Sequence, residues 1–149
     1  MVKMNTPLRR LEGISYWVIE DPDGIHDFIN TEVRKEWALD VRSMPGDPAA
    51  GDWLLELPQR KWRLDLVQTD IVELDEHAMN FVDAQTGYNF AEHLAKRRQQ
   101  LRHAIENYGT VIWPVIVRKE DMQILDGYCR CTTLKETKVP RIYAYIGTL

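Results

Sequence analysis

Apolar residues recur along this chain of 149 residues in short runs whose period changes several times. Residues 14–20 are rich in β-branched and aromatic side chains, which predicts a strand. Residues 21–24, Asp-Pro-Asp-Gly, have the composition of a turn. Residues 25–41 place apolar side chains near a 3.6-residue period, which predicts an amphipathic helix. A loop over 44–51 and a short strand from Trp53 to Leu57 are expected next.

The central part of the chain has a clearer pattern. Residues 62–74 predict one or two strand segments, and residues 75–88 predict a loop. Asn89 is placed to cap a helix, with Glu92 at its third position, and Gly109 is placed to end that helix in a left-handed conformation. Its apolar residues fall on one helical face: Phe90, Leu94, Leu101, Ile105 and Tyr108.

The last forty residues or so predict a compact alternation of strands and a helix. Short apolar runs predict strands over 112–117 and 122–125, and the charged segment 118–121 predicts the turn between them. A short helix is expected over 128–137, and a final strand over 139–146.

Composition narrows the class of protein. The chain is 44% hydrophobic and 28% charged, as in ordinary globular proteins, and its length suits one domain with an extension. A net charge of −4 argues against a broad basic face, and so against nucleic acid as a primary partner. No apolar run approaches the length of a membrane span. With only Cys129 and Cys131, neither a disulfide framework nor a structural zinc site is expected, which favours a reduced, cytoplasmic protein.

The junction from Asp126 to Arg130 carries the candidate chemistry. A strand that ends in Gly127 and leads directly into a helix leaves the N–H groups of Gly127, Tyr128 and Cys129 available to an anion. The Arg130 guanidinium could bind phosphate oxygens with two parallel hydrogen bonds. Asp126 could orient a magnesium-bound water or a substrate hydroxyl. The simpler interpretation is a connecting turn, because strand–Asp-Gly–helix junctions also occur without any ligand.

From about residue 63 to 146 the order of motifs resembles the ParB/sulfiredoxin superfamily. The matching segments are 71–74, 104–109, 113–117, 124–130 and 138–145. The resemblance implies an α+β fold, a small mixed sheet with flanking helices, over 62–149, to which residues 1–61 add an N-terminal α/β extension. It also implies nucleotide binding at the glycine-to-helix turn, where the family's arginine matches Arg130.

The turn sequence distinguishes branches of that superfamily. Sulfiredoxins have Gly-Gly-Cys-His-Arg, which puts Tyr128 at their cysteine position, and chromosome-segregation members have Gly-Glu-Arg-Arg. Free-serine kinases have Asp-Gly-His-His-Arg, which resembles this chain at Asp126, Gly127 and Arg130. That branch implies a reaction role for Asp126 and a catalytic glutamate at Glu76, although the two histidines are replaced.

Two hypotheses follow. The first is a phosphotransferase that uses ATP or ADP and Mg²⁺ on a small hydroxyl-bearing metabolite. In it Glu76, or Asp75, takes the proton, Asp126 holds Mg²⁺ or the acceptor, and the 127–130 turn binds the phosphates. The second is a non-catalytic nucleotide-binding or DNA-associated interaction module, with the tryptophans of the first sixty residues as a docking surface rather than core. A nuclease is disfavoured because no two-metal cluster of Asp, Glu and His stands out. The oligomeric state is left open.

Overall fold

The computed structural model describes residues 7–36 and 56–149. Its strands are β1 (Leu8–Leu11), β2 (Ile14–Trp17), β3 (Lys61–Gln68), β4 (Val115–Arg118), β5 (Gln123–Asp126) and β6 (Arg141–Thr148). Its α-helices are α1 (Pro22–Phe28), α2 (Glu76–Met79), α3 (Phe90–Tyr108) and α4 (Tyr128–Glu136). A π-helical segment at Ile29–Val33 continues α1, and 3-10 turns lie at Leu57–Gln59 and Thr69–Ile71.

The main sheet has four strands in the order β3-β6-β4-β5. Strand β6 pairs antiparallel with β3 and parallel with β4, while β4 and β5 form an antiparallel hairpin. The sheet is therefore mixed, and the expected α+β class is confirmed. Strands β1 and β2 form a separate hairpin, which is bound to the rest of the fold where Tyr16 bridges Ile112.

Two hydrophobic cores lie on opposite faces of the sheet, because successive strand residues point to opposite sides. On one face, Val115 and Val117 pack with Leu134 of α4 and with the partly buried Leu101 of α3. On the other face, Ile116 packs with the other core, which comprises Ile25, Ile29, Val33, Leu57, Trp62, Leu125 and Tyr145. The sheet is thus covered by α3 and α4 on one side and by α1 and its π-helical continuation on the other.

The N-terminal predictions need correction. Strand β2 stops at Trp17, and residues 21–24 are the start of a helix rather than a turn. Asp21 is the N-cap, its side chain accepts a hydrogen bond from Gly24 N, and a proline occupies the first turn. The sequence Asp-Pro-Asp-Gly is compatible with both a turn and a helix N-terminus. A helix forms here because it buries the apolar residues that follow. Residues 37–41 of the predicted helix, the predicted loop over 44–51, and Trp37 and Trp53 lie outside the described residues.

Two further predictions were wrong in part. Leu57, expected to end a strand, begins a 3-10 turn in which Pro58 is the second residue. The expected loop over 75–88 contains α2, because the Asp75 side chain accepts a hydrogen bond from Ala78 N and so caps one helical turn.

The long helix α3 was predicted correctly at both ends. The Asn89 side chain accepts a hydrogen bond from Glu92 N, and Gly109 ends the helix at φ 60° and ψ 35°. Leu94 is buried, as its position on the apolar face implied, but Tyr108 is exposed. The strand prediction over 62–74 was right only as far as Gln68, because Thr69–Ile71 form a 3-10 turn and Glu73 makes only an isolated bridge. Strands β4, β5 and β6 and helix α4 lie within a few residues of their predicted bounds.

Candidate functional site

The junction between β5 and α4 is a strand–glycine–helix turn, as the sequence predicted. Asp126 is the last residue of β5, and Gly127 is the N-cap of α4 with φ 101° and ψ 31°. The Gly127 carbonyl accepts the hydrogen bond of Cys131 N at 2.8 Å, which closes the first turn of the helix. No side chain caps this N-terminus. By their position, the N–H groups at the start of the helix have no intrahelical carbonyl to bind.

Glycine at position 127 is required by space as well as by backbone conformation. A Cβ atom there would lie 2.7 Å from Arg130 Nη2 and 2.9 Å from Val115 Cγ1. Both distances are shorter than side-chain carbons tolerate, and the positive φ disfavours any L-side chain. The guanidinium therefore packs directly against the Gly127 backbone.

Arg130 is turned back onto the fold. Its Nη2 donates to Asp126 Oδ2 at 2.9 Å, and its Nη1 donates to Trp113 O at 3.0 Å and Pro114 O at 3.3 Å. The side chains of Arg130 and Asp126 are 19% and 21% exposed. The sequence suggested an arginine reaching toward a ligand. The structure adds a second role, in which Arg130 fixes the end of β5 to the segment before β4.

Glu76 comes from the segment beside β5. Glu73 forms a parallel bridge with Gln123, so the two segments run in the same direction. Glu76 and Asp126 each follow that bridge by three residues. Because parallel segments end at the same edge of a sheet, the backbone of both segments runs toward the edge where α4 begins. Glu76 is exposed there, at the start of α2.

Tyr128 connects this segment with α4. Its hydroxyl accepts a hydrogen bond from Asp75 N at 3.4 Å, and its ring packs edge-to-face against Phe90 with centroids 5.5 Å apart. The side chain thus contacts both the loop before α2 and the first residue of α3. These contacts give the Tyr128 side chain a packing role.

The cysteines of α4 differ in environment. Cys131 is fully buried, and burial raises the pKa of its thiol to about 11. It is therefore a neutral thiol at physiological pH, which removes it as a nucleophile. Cys129 is partly exposed, and its backbone N–H is one of those that the turn would offer to an anion.

Metal chemistry would depend on very few ligands. Among residues 7–36 and 56–149, no group of three or more His, Cys, Asp and Glu side chains is placed to hold an ion. Mg²⁺ often needs only one or two carboxylates together with substrate phosphates, so Asp126 remains compatible with it. The Arg130 guanidinium already binds that carboxylate, so a cation at Asp126 would be held mainly by phosphate oxygens.

Comparison with solved structures finds similar chains, and one of them is a ParB-N domain. The chain is similar to a Pnob8-like ParB-N domain, determined in a C2221 crystal form, with 14% identity and a TM-score of 0.43. The match covers 60% of this chain but only 31% of that one. No family model and no curated protein matches. Not one helix in the described ranges has the length and apolar content needed to cross a bilayer.

Proposed function

We propose that this protein is a nucleotide-dependent phosphotransferase that acts on a small hydroxyl-bearing metabolite, with the junction between β5 and α4 as its phosphate site. The observation that carries the proposal is the parallel bridge between Glu73 and Gln123. It supports a site in which Glu76, Asp126 and the start of α4 share one edge of the sheet. A phosphotransferase needs a proton acceptor and a phosphate site within reach of one small substrate.

Each group has a role in this proposal. The backbone N–H groups from Gly127 to Cys129 bind the phosphates of ATP or ADP at the positive end of α4. Arg130 lies against the Gly127 backbone and adds positive charge beneath that turn. Exposed Glu76 accepts the proton of the substrate hydroxyl. Asp126 positions the acceptor, or Mg²⁺ held by the phosphates, and Mg²⁺ would neutralise part of the phosphate charge.

The test is phosphoryl transfer from ATP or ADP, with Mg²⁺, to a panel of hydroxy acids and hydroxy amino acids including free serine. Replacing a positioned general base lowers the rate by about 100-fold or more. We expect that loss in kcat for Glu76→Gln, with nucleotide affinity unchanged. Glu73→Gln is the matched control, because it is an exposed carboxylate on the same segment that precedes the site. Equal rates for Glu76→Gln and the unaltered protein would show that Glu76 is not the base.

A second candidate function is a non-catalytic nucleotide-binding module. The observation that favours it is the pairing of Arg130 with Asp126 and two carbonyls, which serves the fold without any reaction. A nucleotide at about 100 times its Kd would then stabilise the protein by about 2.7 kcal/mol, with no turnover of any acceptor. Stabilisation by ADP together with transfer to a hydroxy acid would instead establish the enzyme.

A further inference from the structure

An open cavity lies at the opposite end of α4 from the proposed phosphate site. Its volume is about 720 Å³, within the range of small-molecule sites. Its lining residues come from the end of β3, the end of α4 and the start of β6: Gln68, Thr69, Asp70, Lys135, Lys138, Val139, Pro140 and Arg141. The nine residues of α4 separate the two places by about 13 Å along the helix axis.

The charges around this cavity are mostly positive, although the whole chain carries −4. Lys135, Lys138 and Arg141 contribute cations, and Asp70 contributes the one carboxylate of the lining. Arg141 is paired with Glu12 at 2.8 Å. Neither lysine has an ion pair among the residues that the structure describes. The two lysines therefore leave an excess of positive charge over the single Asp70 carboxylate in the lining.

The end of a helix normally repels anions, because its carbonyls carry about half a negative charge. Here two carbonyls of the last turn already accept backbone hydrogen bonds. Lys138 N donates to Lys135 O at 3.1 Å, and Val139 N donates to Leu134 O at 3.0 Å, which is the Schellman pattern. With those carbonyls bonded, the charge of the two lysines exceeds the charge of Asp70 plus that of the helix end.

Lys138 occupies the left-handed position of this motif, with φ 59°. Glycine is the usual residue there, because a Cβ atom is disfavoured in that conformation. Residues that keep such strain are concentrated at functional sites, so a strained lysine on a cavity wall points to a use for its side chain.

The cavity also has neutral surface suited to a ligand. Val139 and Pro140 give it an apolar wall. Thr69 is held in place by its N–H, which donates to Pro140 O at 3.0 Å. The Thr69 hydroxyl is buried and has no hydrogen-bond partner among the described residues.

We propose that this cavity binds a small organic oxyanion, a phosphate monoester or a carboxylate with an apolar body. Lys135 and Lys138 bind the charged group, and Val139 and Pro140 contact the body. The site is separate from the proposed phosphotransferase centre and does not depend on it.

The experiment is a titration of amide chemical shifts in the full chain with three probes: phenyl phosphate, benzoate and the neutral control phenol. We expect saturable shifts at Thr69 and Val139 with at least one anion and none with phenol. Preference between the two anions identifies the charged group. Saturable binding of phenol, or of neither anion, would overturn the proposal.

Variants locate the binding site. Lys138→Asn removes the charge with a residue that tolerates the left-handed conformation, and Lys135→Gln removes it with a residue of similar helix propensity. Since a hydrogen bond to a charged group is worth about one factor of ten or more in affinity, each variant should weaken binding about tenfold. Lys96→Gln, an exposed position on α3, is the control and should bind normally. Unchanged affinity in both cavity variants, or shifts centred on Gly127 and Cys129, would refute the site.

Discussion

At the scale of single residues, Gly127 and Arg130 depend on each other. The guanidinium can reach Asp126 and the carbonyl of Trp113 only because position 127 has no side chain. A methyl group at 127 would displace the guanidinium or Val115, and would also hold a left-handed backbone. The residue that begins α4 is therefore also the residue that lets the turn be fixed to the segment before β4.

Gly127→Ala should lower the free energy of unfolding by about 2–4 kcal/mol, the sum of left-handed strain and overpacking. Gly109→Ala is the matched control: its φ is also positive, at 60°, but an added Cβ would meet no atom within 4 Å. It should cost only about 1–2 kcal/mol. Urea unfolding of both variants measures the difference. Equal losses would mean that the contact with Arg130 adds nothing to the requirement for glycine.

At the scale of secondary-structure elements, a substitution at the end of α4 should raise the free energy of unfolding, whereas Gly127→Ala should lower it. Lys138→Gly should raise the free energy of unfolding by about 1 kcal/mol, because it relieves the strain of φ 59° and the residue is exposed. Lys96→Gly makes the same change within α3 and should instead destabilise by about 1 kcal/mol. Thermal or urea unfolding measures whether each variant gains or loses stability. If both variants lose stability, the left-handed lysine is not strained.

Local chemistry explains which elements could be predicted from the sequence. The ends of α3 followed from Asn89 and Gly109, since capping depends on residues within one turn of the helix end. The start of α1 did not, because residues 21–24 suit a turn and an N-cap equally. Local sequence thus determines the ends of α3, whereas the start of α1 depends on which side chains the fold buries.

The candidate site also has features that local sequence predicts and features that depend on contacts between distant segments. Gly127 at the N-terminus of a helix could be predicted, because a strand, a glycine and a helix follow each other along the chain. The bonds of Arg130 to Trp113 and Pro114 could not, since those carbonyls are brought near by the pairing of β4 with β5. The bridge of Glu73 to Gln123 is likewise a contact between distant segments, with no local signal.

At the scale of the whole molecule, each face of the sheet buries a tyrosine. Tyr16 lies in the core under α3 and α4, and Tyr145 lies in the core under α1. Burial raises the pKa of both to about 12, and Tyr145 also accepts a hydrogen bond from Ile19 N at 3.0 Å. The two cores therefore share a sensitivity to alkaline pH, because ionisation would place a charge inside each of them.

The sign of this effect follows from the direction of the shifts. A group whose folded-state pKa is raised contributes stability that is complete below its unfolded pKa and is lost as pH rises through the folded value. For the tyrosines that window runs from the ordinary pKa of 10.0 to about 12, and for Cys131 from 9.0 to about 11. The free energy of unfolding should thus be flat up to about pH 9 with respect to these groups and fall steeply above it.

Tyr16→Phe tests this directly, because it keeps the buried ring and removes the ionising hydroxyl. We expect the variant to lose roughly 2 kcal/mol less stability than the unaltered protein between pH 10 and pH 12. Tyr108→Phe is the control: that side chain is 77% exposed and meets solvent in both states, so it should leave the pH dependence unchanged. Urea unfolding at a series of pH values measures both. A slope in Tyr16→Phe equal to that of the unaltered protein would mean that the core beneath α4 opens before Tyr16 ionises.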